Sequence, residues 1–131
     1  MAKRTGHREQ VVPQSQRQLR VGEALRHGLA ELLGAGRLRD PALRDVSITV
    51  SEVRMSPDLR RASVFVMPLG GAGRDDVIEG LRRAAPHLRS QLVKLVRLRL
   101  APELEFVLDN SFDQAARIDA LLHERESDDP N

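Results

Sequence analysis

The chain has 131 residues, with 21 Lys and Arg against 19 Asp and Glu and a formal net charge of +2. This length suits one domain with a modest hydrophobic core. The absence of cysteine excludes disulfides and thiol chemistry and is compatible with a reducing cytoplasm. Because no apolar run approaches the roughly 20 residues that span a bilayer, we expect a cytoplasmic protein. We also expect it to be monomeric when free.

The charge is unevenly distributed along the chain. Residues 1–100 hold 19 Lys and Arg against ten Asp and Glu, whereas residues 101–131 hold two against nine. A basic body attracts polyanions over about a Debye length, roughly 8 Å at physiological salt. Nucleic acid is therefore the expected partner, and a solvated, arginine-rich surface is the alternative.

An arm and a helix are predicted first. Residues 1–13 are polar and basic without periodicity, which predicts a flexible arm. From Ser15, a suitable N-cap, leucines recur at helical spacing. Gly34, Gly36 and the following Asp40-Pro41 predict the end of this helix.

A β-hairpin is predicted next. Val46, Ile48 and Val50 alternate as in a half-buried strand. The apolar phase slips at residues 51–52, where a bulge would reconcile the two halves. Ser-Pro-Asp at 56–58 favours a turn, and residues 62–67 predict the second strand.

Two helices and a strand are predicted after the glycines at 70–73. Asp75 and Asp76 suit a helix N-terminus. Pro86 removes a backbone donor, which predicts a break or a kink near Ala85. A second helix follows, with an apolar inner stripe and a cationic outer face, and residues 104–108 alternate as a last strand.

The order α-β-β-α-α-β predicts an α+β domain over residues 14–112, with the helices on one face of a three-stranded sheet. Residues 113–123 are expected to add a short C-terminal helix. Residues 124–131 are expected to form a disordered acidic tail.

Patterns typical of catalysis are weak. The four histidines are scattered without ligand spacing, and Ser56 has no neighbouring histidine to activate it. Glu103 and Glu105 lie on one side of the last strand, as at a solvated sheet edge. We therefore expect no enzyme activity, no metal and no cofactor.

Four phrases occur in a distinctive order. Residues 53–62 are Val-Arg-Met-Ser-Pro-Asp-Leu-Arg-Arg-Ala, and residues 98–106 are Leu-Arg-Leu-Ala-Pro-Glu-Leu-Glu-Phe. Asp-Asn-Ser at 109–111 then precedes Arg-Ile-Asp at 117–119. In order and spacing these phrases resemble the bacterial ribosome-binding factor A family, over about residues 17–122.

The resemblance implies a KH-like domain of the second topological type. It also implies a factor that binds the small ribosomal subunit (30S) and its 16S rRNA during late maturation and rRNA processing. In that family an interrupted helix with an Ala-x-Gly pattern replaces the KH loop. Here the matching residues are Ala84, Ala85 and Pro86, so the glycine is absent and proline would impose the interruption differently.

The RNA-binding surface is predicted from positive charge around this break, along the second helix and at the hairpin end. Its residues are Arg60, Arg61, Arg82, Arg83, His87, Arg89, Lys94, Arg97 and Arg99. Such groups contact phosphates and position RNA more than they specify its sequence. With three Phe and no Tyr or Trp, the chain is not expected to stack successive bases on aromatic rings.

We predict that the arginines beyond Pro86, which project away from the hydrophobic side, form one continuous cationic surface. The alternative function is a protein-interaction adaptor for which RNA contact is incidental.

Overall fold

Two helices and a three-stranded sheet make up the described part of the chain. A computed structural model describes residues 13–34, 38–70, 73–110 and 121–122. The elements are helix α1 (Gln16–Gly34), a 3-10 turn (Pro41–Leu43), strands β1 (Ser47–Met55) and β2 (Arg61–Leu69), helix α2 (Arg74–Val96) and strand β3 (Glu103–Leu108). The predicted α+β class is confirmed. Within these residues, neither helix is long and apolar enough to cross a membrane.

Helix α1 begins with a reciprocal pair of hydrogen bonds. The Gln18 N–H donates to Ser15 Oγ at 3.1 Å, and the Ser15 N–H donates to Gln18 Oε1 at 2.9 Å. This is a capping box, and it confirms the predicted N-cap. The side-chain amides of Gln14 and Gln18 also donate to the Met55 carbonyl, both at 2.7 Å. The start of α1 is therefore fixed beside the end of β1.

A glycine allows α1 to lie directly on the sheet. Gly22 is buried, and a Cβ at this position would stand 2.6 Å from the Val53 carbonyl oxygen. That oxygen belongs to the backbone of β1, so it cannot turn aside as a flexible side chain could. Only a residue without a side chain permits this separation of helix and strand.

Strands β1 and β2 form the predicted antiparallel hairpin. The register shifts between Val50 and Glu52, which confirms the bulge expected at residues 51–52. The extra residue returns the apolar side chains to one face, so that Val53 and Met55 are buried together with Val50. The same face of β2 carries the buried Val64.

Strand β3 lies parallel to β2, and the strand order is β1-β2-β3. Arg61 is opposite Glu103, so β2 and β3 start at the same end of the sheet, next to the β1–β2 turn. The Glu103 N–H donates to the Arg60 carbonyl at 2.8 Å. We call this edge of the molecule the tip end.

The hydrophobic core lies between the helices and the inner face of all three strands, as predicted. Leu25 and Leu29 of α1, Leu81 of α2, Val64 of β2 and Phe106 of β3 belong to one cluster of buried side chains. Each of these side chains is almost completely removed from water, with at most 1% of its surface exposed. The sheet and both helices therefore depend on a single shared core.

The helix break predicted at Pro86 is wrong. Helix α2 runs without interruption from Arg74 to Val96 with Pro86 inside it. Proline removes one helical hydrogen bond, but Leu81 on one side of it and Leu88 and Leu92 on the other are all buried in the same core. Tertiary packing thus holds both halves of the helix in one element. The predicted element order α-β-β-α-α-β therefore becomes α-β-β-α-β in the described residues.

Several predicted segments lie mostly or wholly outside the described residues. These are the basic arm at 1–13, the C-terminal helix at 113–123 and the acidic tail at 124–131, and they stay predictions. Leu121 and Leu122 are helical and exposed in the described part of that region. The proposed domain limits of 14 and 112 stay predictions as well.

Replacing Gly22 by alanine should destabilise the protein by about 2 kcal/mol, because the added methyl group collides with the β1 backbone. The matched control is Gly34→Ala, where a Cβ meets nothing within 4 Å, and where the change should stay within about 1 kcal/mol. Urea unfolding followed by circular dichroism measures both values. Equal stability of the two variants would contradict the close helix-strand contact.

Candidate nucleic-acid interface

The β1–β2 turn is held by hydrogen bonds from its own side chains. The Asp58 carboxylate accepts from the Ser56 hydroxyl at 2.7 Å and from the Arg60 N–H at 3.1 Å. The Ser56 hydroxyl oxygen accepts from the Arg61 N–H at 3.0 Å. The Ser56 hydroxyl is the main cause of a lowered pKa of Asp58, and the Arg60 N–H adds to it. Arg60 and Arg61 therefore project from a fixed backbone.

Leu59, at the centre of this turn, has a left-handed backbone. Its φ of 62° is unfavourable for a residue with a branched side chain. The half-buried side chain nevertheless packs against the hydrophobic core. Core contact and the hydrogen bonds around Asp58 thus maintain a conformation that the isolated turn would avoid.

Arg89 fixes the connection between α2 and β3. Its Nε donates to the Pro102 carbonyl at 2.9 Å, and its Nη2 donates to the Ala101 carbonyl at 3.0 Å. The side chain therefore turns toward the protein, whereas the sequence predicted an outward-facing phosphate ligand. These two hydrogen bonds hold residues 101–102 in place beside the hairpin.

These segments enclose an open cavity at the tip end, which we call the tip pocket. It has a volume of about 900 Å³ and is lined by residues of α1, the β1–β2 turn and the α2–β3 connection. Five arginines line it: Arg17, Arg60, Arg61, Arg89 and Arg99. Within the described ranges, Arg89 is the only one of the five whose guanidinium has a hydrogen-bond or ion-pair partner.

The tip pocket unites four of the predicted RNA-binding arginines and adds one that the prediction missed. Arg17 lies in the first turn of α1, far from the hairpin in sequence. The hydrogen bonds from Gln14 and Gln18 to Met55 place that turn at the tip end. No local pattern in the sequence connects these two segments, so Arg17 was identifiable only from the tertiary structure.

A second cationic cluster lies on the other side of α2. Arg39, Arg83 and His87 line a groove of about 740 Å³ together with Asp40 and apolar side chains. Arg83 is engaged there, because its Nε and Nη2 donate to the two Asp40 carboxylate oxygens at 2.7 and 3.0 Å. The Arg83 guanidinium, followed by the Ala42 N–H, lowers the pKa of Asp40 from 3.8 to about 2.

The remaining predicted residues do not join either cluster. Arg82 pairs with Glu79 at 2.7 Å on the exposed surface of α2. Lys94 is exposed in the last turn of the helix, and Arg97 is its C-cap with a left-handed φ of 62°. Arg97, like Arg99 of the tip pocket, therefore lies beyond the helix whose outer face was predicted to carry both.

The predicted RNA-binding residues on the two sides of Pro86 do not share one surface, and the continuous cationic surface expected of the arginines beyond Pro86 stays a prediction. At about 100° per residue, the six positions from Arg83 to Arg89 place these side chains roughly 120° apart around α2. The structure accordingly assigns Arg89 to the tip pocket and Arg83 to the groove on the opposite flank. No group of acidic or histidine side chains able to hold a metal ion occurs in the described residues.

Comparison with known proteins identifies relatives along most of the chain. The family model of ribosome-binding factor A matches residues 17–122. A ribosome-binding factor A from Paramagnetospirillum magneticum is 52% identical over 114 residues, covering 87% of this chain and 80% of that protein. One from Methylobacterium sp. is 54% identical over 108 residues, covering 82% and 78% respectively.

Solved structures agree with the fold. The crystal structure of ribosome-binding factor A from Thermus thermophilus matches with a TM-score of 0.60 at 33% identity, covering 70% of this chain and 93% of that chain. A homology model of the Thermus thermophilus factor, fitted into a cryo-EM map of its 30S complex, matches with a TM-score of 0.56 at 34% identity. That match covers 68% of this chain and 91% of the other. The predicted α+β, KH-like fold is confirmed.

The ion pair between Asp40 and Arg83 should make stability depend on pH. Because folding lowers the pKa of Asp40 from 3.8 to about 2, its stabilising contribution is complete above about pH 5 and is lost progressively as pH falls to about 1. Asp40→Asn should therefore flatten the curve of unfolding free energy against pH in this window, as measured by urea unfolding. Arg83→Met should produce a similar flattening, and the double variant should add little to either. A curve that keeps its slope in Asp40→Asn would contradict this assignment.

Proposed function

The chain belongs to the ribosome-binding factor A family, and from this membership we propose that it assists late maturation of the small ribosomal subunit (30S). It binds the 16S rRNA of the immature subunit in the cytoplasm and supports rRNA processing. It acts by binding alone, without catalysing a reaction. We assign the principal rRNA contact to the tip pocket.

The observation that supports this assignment is the state of the pocket arginines. Arg17, Arg60, Arg61 and Arg99 form no ion pair with a described carboxylate. A phosphate can therefore approach them without displacing an ion-pair partner among the described residues, although Asp58 of the same turn attracts Arg60. The planar guanidinium group also offers forked donors that match phosphate oxygens. At the opposite flank, by contrast, RNA would have to compete with Asp40 for Arg83.

The rigidity of the tip end supplies a mechanism. The turn is tied to itself through Asp58 and to β3 through the Arg60 carbonyl. Arg89 separately ties the neighbouring α2–β3 connection to α2. A preorganised set of donors loses little conformational freedom on binding. It therefore stabilises the one rRNA arrangement that matches it, and shifts the immature subunit toward that arrangement.

The hypothesis of a protein-interaction adaptor predicts a different dependence of affinity on salt concentration. Contacts to phosphates release counterions, so affinity falls steeply with salt concentration. Docking of a protein through the sheet would give a shallow dependence. The pocket arginines that lack an ion-pair partner in the described part of the chain favour the phosphate-led function.

The triple variant Arg60→Ala, Arg61→Ala, Arg99→Ala should bind immature small subunits at least about tenfold more weakly, because three phosphate contacts are lost. Its slope of log affinity against log salt should decrease by about two to three, at roughly 0.7–0.9 per phosphate. Co-sedimentation through sucrose at several salt concentrations measures both effects.

The matched control is Arg44→Ala. Arg44 is also exposed, but it precedes β1 at the end of the sheet opposite the tip end. Its removal should lower affinity much less than the loss of any one pocket arginine. Full co-sedimentation of a correctly folded triple variant would refute the tip pocket as the rRNA contact.

A further inference from the structure

The tip pocket contains apolar surface that a phosphate site does not need. Between its arginines lie Val21, Leu59, Leu98, Leu100 and Pro102. Leu100 exposes 74% of its surface and lines the pocket together with these apolar side chains. A site for phosphates alone gains nothing from a leucine at this position, because phosphate oxygens require polar donors.

A carboxylate in the pocket also indicates that the pocket is not built for phosphates alone. Glu103, the first residue of β3, lines the cavity and is exposed. Its negative charge opposes a phosphate placed beside it. Its oxygens are, however, suitable acceptors for the amino and imino N–H groups on the edges of nucleobases. The pocket therefore has a cationic rim that suits phosphates and a region of apolar and acceptor groups that suits a different part of the ligand.

We propose that the tip pocket receives one unstacked base of single-stranded RNA. The base lies on the apolar floor around Leu59 and Leu100, with Glu103 at its polar edge. The phosphates on either side of that nucleotide contact Arg60, Arg61 and Arg99. This inference rests on the proposed function, since it specifies which form of RNA the same pocket takes.

The shape of the pocket explains the preference for a single strand. The cavity of about 900 Å³ lies in the size range of small-molecule sites. In an A-form duplex the bases are stacked inside, and the deep major groove keeps their edges out of reach of side chains. A base must leave the stack to enter the cavity, and unpaired segments allow this at the lowest energetic cost.

The experiment compares the binding of two octamers to the 131-residue chain. One is single-stranded RNA, and the other carries the same phosphates on abasic riboses. The wild type should bind the base-bearing octamer about tenfold more tightly, which corresponds to burial of apolar surface equal to about one leucine side chain. Leu100→Ala should remove most of this difference while leaving the salt dependence unchanged, because no charge is altered. Fluorescence anisotropy of labelled octamers measures the affinities.

Leu69→Ala is the matched control. Leu69 exposes 76% of its surface, nearly the same as Leu100, but it lies at the end of β2 away from the tip end. This variant should keep the full preference for bases. Because both leucines are exposed, neither substitution should disturb the core.

The outcomes separate this inference from the proposed function. Equal binding of both octamers by the wild type, with a steep salt dependence, would overturn the base site while the phosphate contacts stand. Loss of the preference in Leu69→Ala but not in Leu100→Ala would also overturn it. Failure to bind either octamer or immature subunits would overturn the proposed function itself.

Discussion

The parallel pairing of β3 with β2 is the constraint on which the candidate interface depends. It places Arg61 opposite Glu103, so that two segments far apart in sequence start at the same end of the sheet. Helix α2 makes the return between them and contributes Arg89, which holds the connection to β3 in place. The hairpin turn, the α2–β3 connection and the start of α1 therefore meet in one pocket. An antiparallel third strand would carry Arg99 and Leu100 to the far end of the molecule.

The arginines of this protein fall into two physical classes. Arg26, Arg82 and Arg83 pair with carboxylates near the surface, where water screens each pair. The arginines of the tip pocket other than Arg89 have no such partner within the described residues. Their mutual repulsion is tolerable only because they are solvated, and a polyanion relieves it. The uneven distribution of charge along the chain thus indicated the class of partner, whereas pairing of individual side chains indicates where that partner binds.

Local patterns predicted most of the fold. The N-cap at Ser15, the bulge at residues 51–52 and the hairpin all follow from short-range chemistry, and each is confirmed. The break at Pro86 was wrong because its local cost is outweighed by the packing of Leu81, Leu88 and Leu92, which no local window contains. The site was predicted only in part for the same reason. Arg60 and Arg61 belong to a turn that is recognisable in the sequence. Only tertiary contacts, however, place Arg17 beside them and Arg83 in a different groove.

A cryo-EM reconstruction of this protein on immature small subunits tests the central claim most directly, because it shows which surface of the domain meets rRNA. We expect the tip pocket, with Arg60, Arg61 and Arg99, to lie against the phosphate backbone of an unpaired rRNA segment. The flank with Arg83 and His87 should contact rRNA less extensively. A map in which the tip end points to solvent, while that opposite flank carries the rRNA contact, would contradict the account.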